Sequence, residues 1–361
     1  MKAAVYHDTA DIRIETVPDP ALAPGELILE VHAAGICGTD VTEYLRGPIQ
    51  YPIHARHRVT GHLGPMIPGH EVAGRIVAIG DGVEGFEIGQ VVASGAGISC
   101  GACDPCAAGR TNLCIHYSTV GLERDGGLAQ FCAVPAGTCL SVAPFGLDEE
   151  TAALAQPMAI AVHSMRRGRL RPEDEAVIIG AGGIGAFLTY AAATLGARVI
   201  VVDVVAERLG LAAGLGAAAT LLPAPDAPLA EQLRDRGLRP AVVYEVVGAE
   251  RTVAGALEAV MPGGRVVLVG LHDDPRSLDL RRVTADEMDV VGTRAHACGA
   301  DLPEALRLLG SRSGRWTDIA PTMLPLERLV EDGILPMAER RSGRVKTLID
   351  PWAAASRGRA S

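Results

Sequence analysis

The stretch AVIIGAGGIGAFLTYAAATLGA, residues 176–197, decides the fold. Its 22 residues carry no charge, which is long enough to cross a bilayer as a helix. Glycines at Gly180, Gly182, Gly183, Gly185 and Gly196 argue otherwise. The run divides into a β-branched start (Val177, Ile178, Ile179), a glycine-rich turn and a helix-forming tail, and RVIVVD follows at 198–203. Strand, loop, helix, strand is the pattern this predicts. Within it, GAGGIG satisfies G-x-G-x-x-G directly after a strand, and Asp203 closes the next strand 18 residues beyond Gly185. In such a loop Gly180 permits the tight turn and Gly182 lets the backbone approach a pyrophosphate. Gly183 and Ile184 open the helix, and Gly185 lets it pack close to the strand, with the helix N-terminus stabilising phosphate charge. Asp203 would accept hydrogen bonds from the adenosine ribose and repel a 2′-phosphate, which favours NAD over NADP. Arg208, five residues later, either lies on the adenine or a phosphate or is a solvated helix residue.

Working outward, the alternation continues with a helical stretch at 207–215, AVVYEVVG from Ala241, a helix at 252–260 and GGRVVLVG from Gly263. Strands alternating with helices predict a doubly wound parallel sheet over 151–292. Residues 1–150 differ: short runs such as LILEVHAAG, EVAGRIVAIG, QVVASG and LAQFCAVP, punctuated by Gly and Pro, predict a β-rich domain. The segment 293–361 is mixed and contains RVKTLID. At 361 residues, two domains are expected. Hydrophobic residues are 48% and charged residues 21%, which excludes a disordered chain. A net charge of −10, with only 2 Trp, 6 Tyr and 4 Phe, gives no support to a nucleic-acid partner or an anionic membrane surface. The acidic, apolar-poor start MKAAVYHDTADIRIE lacks a secretory pattern, so a cytoplasmic location with reduced thiols is expected.

Among the eight cysteines, Cys100, Cys103, Cys106 and Cys114 form C-x₂-C-x₂-C-x₇-C. Four thiolates on one short loop close a tetrahedral zinc site with no open position, a structural arrangement. The ferredoxin alternative expects C-x₃-C-P at the end of the run, which is absent. Cys132 and Cys139 read as small buried hydrophobes, and Glu123 and Arg124 as solvent-exposed.

Two further motifs, GICGTD with Cys37 and PGHEVAG with His70 and Glu71, are weak singly. Taken in order with the Cys₄ loop, DGGLAQFCAVP, GAGGIG and GGRVVLVG, they resemble the zinc-dependent medium-chain alcohol and polyol dehydrogenases over nearly the whole chain. TDVTEYLRGPI and QPMAIAVHSM look most like the butanediol and sorbitol dehydrogenase branch. The resemblance implies an α/β architecture: a GroES-like β-rich catalytic domain at 1–150 and 293–361, and a Rossmann domain at 151–292. It also implies two zinc ions per chain, NAD, a homodimer or homotetramer, and a small alcohol or ketone as substrate. By the resemblance Cys37, His70 and Glu71 bind the catalytic zinc, which polarises the carbinol oxygen as a Lewis acid. Thr39 then relays the alcohol proton; Cys298 reads by default as a packing residue, which the resemblance would instead set near the substrate cleft.

Two positions depart from the family pattern. Gln156 stands where the polyol branch has Glu, and Thr42 where many relatives have a His that passes the proton to solvent. Either Thr42 with the cofactor ribose carries that relay, or His54, His57 or His62 substitutes. With Cys37 thiolate, neutral His70 and Glu71 carboxylate, the zinc site counts as neutral; Gln156 leaves that count unchanged, which makes the metal a stronger acid than Glu would. The expected activity is NAD-linked oxidation of a secondary alcohol, a vicinal diol or polyol. The competing readings are a biosynthetic ketone or activated double-bond reductase on the same fold, and a zinc- and nucleotide-binding protein of low turnover.

Overall fold

The computed structural model describes residues 1–272, 274–275, 277–314, 316–339 and 345–359. The chain divides into two compact units, Met1–Ala159 with His296–Ser361, and Ile160–Ala295. In the first unit β1 (Lys2–Asp8) and β2 (Asp11–Thr16) pair as an antiparallel hairpin. Next come β3 (Glu26–Gly35), α1 (Gly38–Arg46), β4 (Glu71–Ile79), β5 (Val91–Ser94) and β6 (Gly97–Ile98). They are followed by α2 (Asp104–Ala107), β7 (Ser118–Thr119), β8 (Phe131–Pro135), β9 (Cys139–Ser141) and α3 (Glu149–Ala152).

α4 (Ala155–Arg167) leads the chain into the second unit, which holds β10 (Glu175–Ile179), α5 (Gly183–Leu195), β11 (Arg198–Val202) and α6 (Ala206–Gly214). It continues with β12 (Ala219–Leu221), α7 (Leu229–Arg234), β13 (Val242–Glu245), α8 (Glu250–Ala259), β14 (Arg265–Leu268), α9 (Leu280–Ala285) and β15 (Asp289–Gly292). The chain then returns to the first unit through α10 (Cys298–Gly310), β16 (Thr322–Leu324), α11 (Leu335–Ala338), β17 (Leu348–Ile349) and β18 (Arg357–Gly358).

β3 is the spine of the first unit. Its alternation sends Leu27, Leu29, Val31 and Ala33 into the core, as a period-2 strand with one wet face should. It pairs with β4, β8 and β17, all antiparallel, inside an eight-stranded sheet. The C-terminal strands thus close onto the sheet of the N-terminal segment: Leu348 sits opposite Gly35.

The second unit is a six-stranded parallel sheet in the order β12-β11-β10-β13-β14-β15. In β10 four consecutive residues, Ala176 to Ile179, are buried. That continuous apolar run is what a parallel strand covered on both faces requires. The uncharged stretch is therefore β10, a glycine turn and α5. α5 ends at Gly196 with φ +99°, a left-handed cap that glycine adopts without strain. Among the described residues no helix is long and apolar enough to cross a membrane.

One expectation fails here. Glu123 and Arg124 are not solvent-exposed: the Glu123 carboxylate accepts the Thr119 N–H at 2.7 Å, and the Arg124 guanidinium pairs with Glu26 at 2.8 Å. The Glu123 contact closes a local turn, whereas Glu26 reaches Arg124 only through the fold.

Candidate active site

Cys37 lies between β3 and α1 as the N-cap of that helix, and Glu71 opens β4. The β3–β4 register places Gly35 opposite Glu71, which brings the two segments into one corner. Only glycine fits at position 35: a Cβ there would lie 2.0 Å from Glu71 Oε2. The ligand atoms of Cys37, His70 and Glu71 all come within 4.8 Å of one another. His70 and Glu71 are buried, at 4% and 0% exposure. The Thr39 hydroxyl is 3.8 Å from Cys37 Sγ.

The surroundings fix this corner. Asp40, fully enclosed, accepts the Cys37 N–H at 2.8 Å and the Tyr51 O–H at 3.0 Å. Burial pushes its carboxyl up, while nearby His70 pulls the other way. Burial also disfavours charge on His70, but the Cys37 thiolate, Asp40 and Glu71 outweigh it and hold the imidazole up at about 9. His70 Nδ1 is buried with no hydrogen-bond partner among the described residues. A soft thiolate, an imidazole and a carboxylate that converge in one corner form a donor set suited to zinc with a position left open.

Sequence reasoning missed Lys346. Its ammonium bonds both carboxylate oxygens of Glu71 and the Ile36 carbonyl, the last at 3.2 Å, and its side chain is 4% exposed. Burial favours the neutral amine, but Glu71 and Cys37 prevail and raise its pKa. The charge count read from the sequence is therefore corrected. The count must now include this buried cation and the buried Asp40 carboxyl beside His70, neither of which it contained. A lone Lys in the apolar context of RVKTLID was the available signal, since a charge that cannot reach water must find a partner.

The remaining candidates sit as follows. Gln156 is buried at the start of α4, and Thr42 is half-buried on α1. The three histidines have partners of their own: His54 with Asp8 at 3.3 Å, His57 Nδ1 with Thr60 Oγ1 at 3.1 Å, and His62 Nε2 with the Gly64 carbonyl at 3.2 Å. None belongs to the Cys37 cluster. Cys298 is buried in the first unit with its thiol 3.4 Å from the Gly97 carbonyl. Cys132 and Cys139 are buried as well; desolvation pushes the Cys139 thiol up to about 12, against bonds from Thr138.

The four lobe cysteines converge within 4.8 Å. Backbone N–H groups of Cys100 and His116 donate to Cys114 Sγ at 3.2 and 3.3 Å, the pattern expected around thiolates. Backbone N–H groups near Ala102 and Cys103 hold the Cys100 thiol down at about 6, while burial and neighbouring thiols push Cys106 up to about 11. Four thiols this close cannot all ionise without a cation among them, so this donor set fits a closed zinc site.

In the second unit the glycine loop joins β10 to α5. Gly180 has φ +107°, and a Cβ on Gly185 would lie 1.8 Å from the Gly180 carbonyl oxygen. Gly182 is the N-cap, so Gly183 and Ile184 form the first helical turn. Asp203 follows β11 and ties the loop down, with Oδ2 accepting the Ala181 N–H at 2.6 Å and Oδ1 the Val205 N–H at 2.9 Å. Arg208 on α6 is 4.0 Å from the same carboxylate.

Comparison with known proteins agrees with this geometry. The family described as alcohol dehydrogenase GroES-like domain matches residues 23–144, and that described as zinc-binding dehydrogenase matches residues 183–311. A sorbitol dehydrogenase of Bacillus subtilis is 32% identical over 86% of this chain and 86% of its own length. An (R,R)-butanediol dehydrogenase of Neisseria gonorrhoeae is 28% identical over 97% and 99%. Among solved structures, 2R,3R-butanediol dehydrogenase from Bacillus subtilis superposes with a TM-score of 0.88 at 28% identity, covering 97% of this chain and 99% of that one.

Proposed function

The chain belongs to the zinc-dependent medium-chain alcohol and polyol dehydrogenase family, and from that premise we propose that it transfers hydride between a secondary alcohol and NAD. The substrate class is a vicinal diol or polyol, or the corresponding ketone in reverse. The observation that carries this reading is the convergence of half-buried Cys37 with buried His70 and Glu71, and a hydroxyl, Thr39, beside the thiol. Zinc in that corner supplies Lewis acidity toward the carbinol oxygen.

The chain's own groups do the rest. Cys37 and His70 hold the metal, and Asp40 fixes the Cys37 backbone. Glu71 is a metal-site carboxylate whose charge Lys346 offsets. The Thr39 hydroxyl accepts the alcohol proton as it gives up its own, which Thr42 and the cofactor ribose pass on to solvent, and Gln156 adds no charge where a carboxylate would. Gly180, Gly182, Gly183, Ile184 and Gly185 seat the pyrophosphate, and Asp203 with Arg208 holds the adenosine. Cys100, Cys103, Cys106 and Cys114 hold a second, structural zinc. A cytoplasmic homodimer or homotetramer completes the proposal.

The test is hydride transfer followed at the NADH absorbance across a panel of vicinal diols, sugar alcohols, simple secondary alcohols and their ketones, with NAD and NADP. Preference for a diol or polyol with NAD is the expected result. Turnover confined to conjugated double bonds would overturn it.

A further inference from the structure

Two ionisable side chains of the second unit, one buried and one half-buried, have no task in the scheme above. Glu245 ends β13 and is fully buried. Its Oε1 accepts the backbone N–H groups of Val247 and Gly248, each at 2.9 Å, and the Thr252 hydroxyl at 2.7 Å. Its Oε2 is buried without a hydrogen-bond partner among the described residues. His272, in the segment after β14, places Nε2 3.8 Å from that oxygen, and both its ring nitrogens are buried and unsatisfied. A buried carboxylate oxygen and two imidazole nitrogens left open are costly in the free protein, and such groups are retained where a ligand completes them.

Their place in the fold says which ligand. The strand order reverses between β10 and β13, so a dinucleotide lies in the crevice outside the carboxyl ends of these strands. The loops after β10, β13 and β14 interlock there. A Cβ on Gly180 would lie 2.8 Å from Val247 Cγ2, one on Gly248 2.2 Å from the Leu271 carbonyl oxygen, and one on Gly270 2.2 Å from Gly248 N. Asp203 sits on the β11 side and the glycine loop at β10. A dinucleotide with its adenosine at Asp203 and its pyrophosphate at the loop therefore extends its second ribose toward β13 and β14, where Glu245 and His272 wait and where Val247 and Leu271 stand exposed.

We propose that Glu245 and His272 form a dyad that binds a hydroxyl of the second ribose of the cofactor, with His272 touching the ribose and Glu245 as the positioning residue. Oε2 of Glu245 faces Nε2 and selects the tautomer protonated there. Nδ1 is then an acceptor for a ribose O–H. Because Oε1 holds the Val247–Gly248 backbone, the same carboxylate couples ribose binding to the shape of the loop. This inference rests on the NAD reading above.

The test measures binding without turnover, by calorimetry with NADH, ADP-ribose and ADP on the zinc-loaded protein. ADP lacks the second ribose, and ADP-ribose has it without nicotinamide. His272→Ala should weaken NADH and ADP-ribose alike by about tenfold, as loss of one hydrogen bond to a buried partner does, and leave ADP within about twofold. His272→Asn, which keeps an acceptor, should recover part of the loss. Unchanged NADH binding by His272→Ala, with normal binding by the wild type, overturns the dyad and leaves the cofactor reading standing. Equal weakening of ADP also overturns it, because it shows a general disturbance of the loops. A wild-type protein that binds none of the three overturns the cofactor reading and the dyad together.

Discussion

Replacing Lys346 with Met separates a metal-site role for its ion pair with Glu71 from a purely structural one. The Lys346 side chain is 4% exposed and that of Glu71 0%, so the modest value of a surface pair does not apply. Removing one partner leaves a buried, uncompensated carboxylate, which costs about 3–5 kcal/mol. For a domain of this size that is a fall in Tm of roughly 6–20 °C. The cost depends on zinc, because a cation in the Cys37 corner compensates the freed carboxylate. The assay is calorimetric unfolding of wild type and variant, each zinc-loaded and each chelated. The full loss is expected only in chelated protein, with less than about half of it in the loaded state. Glu71→Gln combined with Lys346→Met removes both charges and should recover most of the stability of the chelated form. An equal loss with and without zinc would refute the reasoning, since it would place the pair outside the metal site.

Three other outcomes follow from the same geometry. On the proposed reading that Gln156 faces the catalytic zinc, Gln156→Glu adds a negative charge there and should raise the pKa seen in the pH profile of kcat/KM; no shift, or a fall, contradicts that reading. Gly185→Ala drives a Cβ to 1.8 Å from the Gly180 carbonyl oxygen. It should destabilise the protein by about 1–3 kcal/mol and weaken NADH binding, and a variant with unchanged NADH affinity would remove the loop from the cofactor site. Asp203→Ser deletes the charge that repels a 2′-phosphate, so the NADP to NAD ratio of kcat/KM should rise by about tenfold or more; a constant ratio would mean that discrimination lies elsewhere.

The parts that were legible in the sequence are those whose chemistry is local. GAGGIG works because a turn, a phosphate approach and a close helix contact fall within six residues, and the structure shows the Gly180–Gly185 contact that forbids any larger side chain. The four lobe cysteines are close in the chain and converge in space. What escaped depends on distant pairing. Lys346 meets Glu71 across 275 residues, and nothing in RVKTLID names its partner. Arg124 reads as polar surface until Glu26 arrives beside it. Glu245 and His272 belong to different strand-end loops, each unremarked as a motif. Their relation exists only because β13 and β14 are neighbours in the sheet.

The most direct test of a two-metal dehydrogenase is the zinc content of purified wild type and of His70→Ala, measured together with NAD-linked turnover. Two zinc ions per chain in the wild type, one in the variant, and complete loss of hydride transfer with NADH binding retained are the predicted results. A wild type with a single zinc held only by the cysteine lobe, or a His70→Ala variant that still turns over, would contradict the assignment of the Cys37, His70 and Glu71 corner.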